Sequence, residues 1–171
     1  KVIEKARIHR GSFYQCFADK EELFSYLLGD MRTYFLSVLR EILEKAGGDL
    51  FELPLAAFDR FINRSGSTDP VLWRCIQVMR LNKSMDLQWL LDDRRCLLTG
   101  ETRKQIRLSQ LREQGEEYVN NVFFLLTAAL AVSIMETLNR PEEWKEQRHL
   151  LQGRVQIIKC GSTIEEGGDP C

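Results

Sequence analysis

The sequence predicts an all-α protein. Along most of its 171 residues, apolar side chains recur at steps of three and four, which is the spacing of one face of an α-helix. We find no stretch with the alternating apolar and polar pattern of a strand, and no internal repeat. Turn-forming clusters such as Gly47-Gly48 separate the helical runs. With 44% hydrophobic and 29% charged residues, the composition is that of a soluble globular protein.

The N-terminal stretch predicts two short helices joined by a tight turn. In the second of them, Phe13, Cys16 and Phe17 recur at helical steps and form an inward face. The opposite face is polar. Two helices at a steep angle make a helix-turn-helix, and its second helix can lie in the DNA major groove.

Charge supports a DNA-binding surface in this region. Between residues 1 and 18 there are four basic side chains (Lys1, Lys5, Arg7 and Arg10) and a single acidic one, Glu4, whereas the whole chain has a net charge of −1. Phosphate neutralisation by such residues supplies most non-specific affinity for DNA. Taken alone, these charges could also belong to a solvated helix end that binds no DNA.

The segment ARIHRGSFYQCFADKEELF resembles the recognition-helix signature of the TetR family of transcriptional regulators. The matching features are Gly11-Ser12, Phe13-Tyr14, Phe17 and the Lys-Glu-Glu-Leu run that begins at Lys20. There are two departures. Arg7 replaces the usual turn glycine, and the first helix of the family would precede Lys1. The rest of the chain resembles the family only in length and helical layout.

The exposed side of this helix supplies the predicted DNA-binding residues. Ser12 and Gln15 suit base edges, and Arg10 suits either a guanine or a phosphate. Tyr14 and His9 are interpreted as phosphate contacts. The alternatives are that Tyr14 is a partly buried aromatic residue and that His9 is a simple turn residue. The full predicted set is His9, Arg10, Gly11, Ser12, Tyr14, Gln15 and Lys20.

A long helix is predicted over residues 20–47. Asp19 is a good N-cap, with Glu22 as its capping-box partner, and Gly47-Gly48 ends the helix. The predicted domains are a helix-turn-helix DNA-binding domain (1–27), a helical ligand-binding and dimerisation domain (28–160) and a mobile tail (161–171). The resemblance implies that the long helix couples the first two.

Further helices are predicted over residues 50–64, from Asp69-Pro70 onward, around the leucines of 87–98, and over the mostly polar residues 101–115. Residues 119–135 are apolar almost all round. Their uncharged run is shorter than the ~20 residues of a membrane span, so we expect a helix buried on two sides. Asn139-Arg140-Pro141 then starts the last helix.

The last two helices are predicted to form a homodimer, as the resemblance implies. A two-fold dimer would match a pseudo-palindromic double-stranded DNA operator. The alternative is that both helices close a monomeric core. The residues predicted to form the dimer interface are Val122, Leu126, Leu130, Trp144, Leu151 and Val155.

The resemblance also implies a pocket for a small apolar or amphipathic ligand among the middle helices. The candidates for lining this pocket are large, adaptable apolar side chains and one polar side chain from the same helices. The alternative for each apolar candidate residue is that it packs in the hydrophobic core and lines no pocket. The candidate residues are Phe58, Phe61, Trp73, Gln77, Met79 and Trp89.

Cysteine and histidine usage predicts neither a metal site nor a cofactor. The five cysteines include no CxxC pair, and the two histidines lie far apart. We therefore expect reduced thiols in a cytoplasmic protein, with Cys16 buried. The sequence shows no group of acid–base or nucleophilic residues of the kind that an active site needs, so we do not expect an enzyme. The favoured hypothesis is a ligand-released transcriptional repressor; the alternative is a helical protein–protein adaptor, or an orphan regulator without a small-molecule ligand.

Overall fold

The computed structural model describes residues 10–62, 70, 98 and 100–164. The part of the chain that it describes is mostly helical and contains no strand longer than an isolated bridge, so the all-α prediction is confirmed there. Its α-helices are α1 (Arg10–Cys16), α2 (Lys20–Lys45), α3 (Leu53–Phe61), α4 (Gly100–Gln105), α5 (Glu116–Asn139) and α6 (Trp144–Ser162).

Helix α2 forms as predicted, but its two halves have different surroundings. In the C-terminal half, Val38, Leu39 and Leu43 are buried in the core. In the N-terminal half, Tyr26 and Leu27 are exposed although both are large and apolar. The predicted domain boundary at residue 27 therefore falls inside one continuous helix.

The core lies where α3, α5 and α6 meet, with the end of α2 packed on α3. Phe58 and Phe61 of α3 are fully buried, and the Phe61 ring stacks on Phe35 of α2 with 4.7 Å between ring centroids. Buried aromatic side chains of this size dominate the apolar area that a core removes from water. Helix α3 is thus the central element that joins α2 to the last two helices.

A backbone clasp holds the end of α2. Gly47 and Gly48 have φ angles of 59° and 82°, in the left-handed region that favours glycine. The Gly48 carbonyl accepts a hydrogen bond of 3.0 Å from the backbone N–H of Arg107, and the Arg107 guanidinium pairs with Asp49 at 3.1 Å. Asp49 also accepts from the N–H of Phe51 at 2.8 Å. We call these contacts the Gly48 clasp.

The clasp explains where two predicted helices differ from the structure. The helix predicted over 101–115 is α4 followed by a 3-10 turn at Leu108–Gln110, because the N–H of Arg107 bonds across to Gly48 rather than along a helix. The helix predicted over 50–64 is shorter, Leu53–Phe61. Asp49 holds residues 50–52 in a turn, and Pro54 then favours a helix start.

Helices α5 and α6 form an antiparallel pair. As predicted, the chain breaks at Arg140 and passes through a 3-10 turn, Pro141–Glu143. The Arg154 guanidinium donates to Ser133 Oγ at 2.8 Å, and the Tyr118 hydroxyl donates to the Ser162 carbonyl at 3.4 Å. Helix α6 includes residues 161 and 162, so the predicted tail does not begin at residue 161.

Helix α5 is long and apolar enough to cross a bilayer if length and composition are the only criteria. Its most apolar 18-residue window has a mean hydropathy of 1.8. However, 56% of that window is buried inside the protein, against α3 and α6. Core helices of soluble proteins pass the same test. One side of α5 is buried within the chain, as the sequence predicts, whereas burial of its other side against a partner stays a prediction.

The cysteines differ from the sequence prediction in two respects. Cys16 is free, but it is exposed rather than buried, because it is the last residue of α1 and the chain turns away after it. Cys160 is disulfide-bonded. The expectation that all the thiols are reduced is therefore wrong for Cys160.

Substituting Gly48 with Ala tests the clasp. A Cβ atom at this position would collide with the Gln105 carbonyl oxygen and the Arg107 nitrogen, and the backbone would also keep a strained positive φ. We expect Gly48→Ala to lower the free energy of unfolding by about 3 kcal/mol in urea titrations.

Gly47→Ala is the matched control, because its φ is also positive but its Cβ would meet nothing within 4 Å. We expect a cost of about 1 kcal/mol for conformational strain alone. Equal losses for the two variants would show that the clasp adds nothing to the strain of the turn.

Candidate functional site

The exposed side of α1 carries most of the predicted DNA-binding residues. Gly11, Ser12, Tyr14 and Gln15 are all exposed, Tyr14 by 54%. Arg10 begins α1 and Lys20 begins α2. His9 lies outside the described residues. The structure thus places four of the seven predicted residues on the surface of one short helix.

A reciprocal capping box sets the turn between α1 and α2. Asp19 has an extended backbone, and its carboxylate accepts a 2.8 Å hydrogen bond from the N–H of Glu22. The Glu22 carboxylate in turn accepts from the N–H of Ala18 at 2.5 Å. The bond from the Glu22 N–H is the N-cap bond that the sequence predicts, whereas the return bond goes to Ala18, the residue before the N-cap, rather than to Asp19 itself.

An aromatic contact adds a second link across the same turn. The rings of Phe17 and Tyr26 meet edge to face, with 6.0 Å between centroids and 61° between planes. Such pairs contribute about 0.5–1.5 kcal/mol beyond the area they bury. Together with the capping box, this contact holds residues 17–19 of the turn against the start of α2.

The exposed face of α1 is built for hydrogen bonding. Ser12 and Gln15 are three positions apart, so they share one side of the helix. A hydroxyl and an amide both donate and accept, and the phenol of Tyr14 adds a further group of this kind. Gly11 has no side chain to hold the helix backbone away from a ligand. These groups can therefore bind a partner whose own surface displays many hydrogen-bond donors and acceptors.

The six residues predicted to form a dimer interface lie mainly in the core of one protomer. Five of them are buried there (Val122, Leu126, Leu130, Leu151 and Val155), and Trp144 is half-buried. A buried side chain has no area left to offer a second chain. The assignment of interface residues is therefore corrected, while association of two chains stays a prediction.

Other apolar residues of α5 and α6 face outward. On α5, Leu125 and Val132 are exposed, and the half-buried Ala128 and Met135 continue the same line at steps of three and four; on α6, Leu150 and Ile157 are exposed. The largest exposed fractions are 75% for Ile157 and 51% for Leu125. We call the following residues the apolar stripe: Phe124, Leu125, Ala128, Val132, Met135, Leu150, Gly153 and Ile157.

The sequence contains this stripe but does not reveal that it faces outward. Helix α5 is apolar on nearly every side, so its periodicity does not show which side meets α3 and α6. On α6 the alternation is clearer, since Leu151 and Val155 are buried whereas Leu150 and Ile157 are exposed. The α6 sequence therefore contains two apolar sets on different sides of the helix, and their separation is the signal that distinguishes a core face from an outer face.

The predicted ligand residues are divided between the core and the part that is not described. Phe58 and Phe61 are fully buried and packed, which agrees with the core alternative for both. Trp73, Gln77, Met79 and Trp89 lie outside the described residues. The pocket prediction for these four stays a prediction.

A cavity that the sequence did not suggest lies between α3 and the start of α6. Its volume is about 430 Å³, and it is lined by Asp59, Ile62, Trp144, Lys145 and Arg148. The Arg148 guanidinium donates twice to the Asp59 carboxylate, at 2.6 and 2.7 Å, and this bonding raises the pKa of Arg148. Asp59 and Arg148 lie 89 positions apart, so no local pattern connects them.

Within the described ranges, no three His, Cys, Asp or Glu side chains come together as a metal site would require. No family model, curated protein or solved structure matches this chain. What this chain does must therefore be inferred from the chemistry and placement of its own residues.

Asp19→Ala tests the capping box. Removing the carboxylate leaves the N–H of Glu22 without its acceptor, and loss of an N-cap costs about 1 kcal/mol. Because the N-terminal half of α2 is largely exposed, we expect the loss to be local. Amide hydrogen exchange of residues 22–25 should become roughly fivefold faster, while exchange in α5 stays unchanged.

Asp19→Asn is the control, since an asparagine side chain also accepts at the N-cap position and should keep most of the protection. If Asp19→Ala exchanged no faster than the wild-type protein, the hydrogen bond to Glu22 would not stabilise the start of α2.

Proposed function

We propose that this chain is a TetR-like, dimeric, DNA-binding transcriptional regulator, acting as a repressor that a small-molecule ligand releases from its operator. The observation that carries the proposal is helix α1, a short helix that exposes Gly11, Ser12, Tyr14 and Gln15 immediately before a capped long helix. The signature order of these residues and the basic charge of residues 1–18 support it.

In this proposal, α1 enters the major groove and reads bases with the two polar side chains that share its exposed side. Gln15 pairs with adenine through its amide, and Ser12 donates to or accepts from a neighbouring base. Arg10, Tyr14 and Lys20 hold phosphates, which set the register without reading sequence. Lys20 is the first residue of α2, where the positive end of the helix dipole also favours an anion, although the Asp19 carboxylate already caps the N–H of Glu22.

The proposed partner is a second copy of the chain, which meets the apolar stripe. Exposed aliphatic residues on adjacent antiparallel helices leave an apolar face that a second pair of helices would cover. The small residues Ala128 and Gly153 lie within this face and allow close approach of the helices. Two-fold pairing would present two α1 helices to a pseudo-palindromic operator.

Release by a ligand requires that the ligand bind one conformer better than the other. Helix α2 is suited to carry such a change, because its C-terminal half is packed in the core and its N-terminal half adjoins α1. A small tilt at the packed end would move α1 relative to the groove. Operator affinity then falls by the differential affinity of the ligand for the two conformers.

Substitution of Gln15 and Tyr14 tests the DNA-binding proposal. We expect Gln15→Ala in the full-length protein to weaken binding to DNA from upstream of its own gene roughly tenfold, through loss of about 1–3 kcal/mol of base contact. Tyr14→Phe should weaken binding to all DNA sequences alike, because it removes a phosphate contact. Gel shifts at two salt concentrations, with competitor DNA, measure both effects.

Gln152→Ala, at an exposed position of α6, is the control and should bind as the wild-type protein does. The base-contact map is wrong if Gln15→Ala also leaves affinity unchanged. A complex that disappears into competitor DNA at every salt concentration would favour the adaptor alternative.

Ile157→Glu tests the proposed dimer. A charge in the centre of a dry apolar interface is unpaired and desolvated, so we expect the dimer to dissociate at least tenfold more readily. Sedimentation or light scattering over a range of concentrations gives the mass. Gln152→Glu adds the same charge on another side of α6 and should leave the mass unchanged; equal masses for all three proteins would exclude this surface.

A further inference from the structure

The cavity between α3 and α6 has the size and the mixed lining of a small-molecule site. Its volume of about 430 Å³ falls within the ~300–1,000 Å³ typical of ligand pockets. The half-buried indole of Trp144 supplies the apolar surface of the lining, because Ile62 lies behind it and is almost fully buried. Asp59, Lys145 and Arg148 supply the polar part.

The polar part offers hydrogen-bond donors more than acceptors. Asp59 is the only acid among the lining side chains, and both its oxygens accept from Arg148, at 2.6 and 2.7 Å. The pair uses Nε and Nη2 of the guanidinium, so Nη1 is not part of it. The Lys145 ammonium adds three donors and no acceptor. With one acid and two bases, the lining has an excess of one positive charge.

The positive charge lies beside an aromatic surface. The Lys145 Nζ atom is 5.7 Å from the centroid of the Trp144 ring, within the range of a cation–π contact. Lys145 itself is exposed, so its ammonium is accessible. A ligand that places a flat apolar ring against Trp144 would bring a substituent within reach of this charge.

We propose that this cavity binds a small aromatic carboxylate, with its ring against Trp144 and its carboxylate paired with Lys145. The Arg148–Asp59 ion pair forms a fixed wall, since each partner orients the other through two hydrogen bonds. This binding does not require DNA. The further statement that the ligand controls DNA binding rests on the proposed function.

Titration with naphthoate tests the proposal in the full chain without DNA. The indole N–H signal of Trp144 is followed by heteronuclear NMR, and Trp144→Phe identifies it among the three tryptophans. We expect naphthoate to shift this signal in a saturable way. The neutral analogue naphthamide should bind at least tenfold more weakly, because it lacks the charge that pairs with Lys145.

Lys145→Gln and Lys159→Gln make a matched pair. Both lysines are exposed on α6 and both lie over an aromatic ring, since Lys159 Nζ is 5.9 Å from the Phe51 centroid. Only Lys145 lines the cavity. We expect Lys145→Gln to lower naphthoate affinity about tenfold and Lys159→Gln to leave it unchanged.

Three results would overturn the proposal: no shift of the Trp144 signal at any soluble concentration, equal binding of naphthamide or naphthylmethylammonium, or equal loss of affinity in the two lysine variants. None of these depends on DNA binding. A protein that binds naphthoate but no operator would contradict the proposed function and leave the cavity assignment intact, and the converse result would do the opposite.

Discussion

The end of α2 is the constraint on which the rest of the described structure depends. Two successive glycines with positive φ turn the chain out of the long helix, and Gly48 then has the Arg107 backbone directly against it. This contact joins residues that are far apart in sequence, and Asp49 strengthens it through Arg107 and Phe51. Because α3 starts immediately afterwards, the clasp also determines where Phe58 and Phe61 enter the core.

The consequence is an asymmetric long helix. Its C-terminal half is held by the clasp and by the stacking of Phe35 on Phe61, whereas the described contacts of its N-terminal half are with the turn that follows α1, through the Asp19 cap and the Phe17–Tyr26 ring pair. A rigid helix with one firmly packed end and one lightly attached end is suited to transmit small displacements. This mechanical feature is what links a ligand site near α3 and α6 to a DNA-binding surface at α1 in the proposed function.

Local features of the sequence predict much of the fold. The capping box of α2, the glycine stop and the break before Pro141 each depend on residues within a few positions of one another, and each is present in the structure. The prediction failed where a distant partner competes with a local pattern. Residues 101–115 have helical spacing, but Gly48 captures the N–H of Arg107 and interrupts the helix.

The sequence by itself determined that the described chain is helical, that α2 starts at the Asp19 cap and stops before Gly47-Gly48, and that the chain breaks before Pro141, because these follow from periodicity and from hydrogen bonds between near neighbours. Only the tertiary structure decided which side of α5 is buried, that Val122 and Leu126 serve the core rather than a partner, and that Cys160 is paired. It also brought Asp59 and Arg148 together across 89 positions to form one wall of a cavity. The physical reason is that a helix with apolar residues on all sides has no preferred side until its neighbours pack against it.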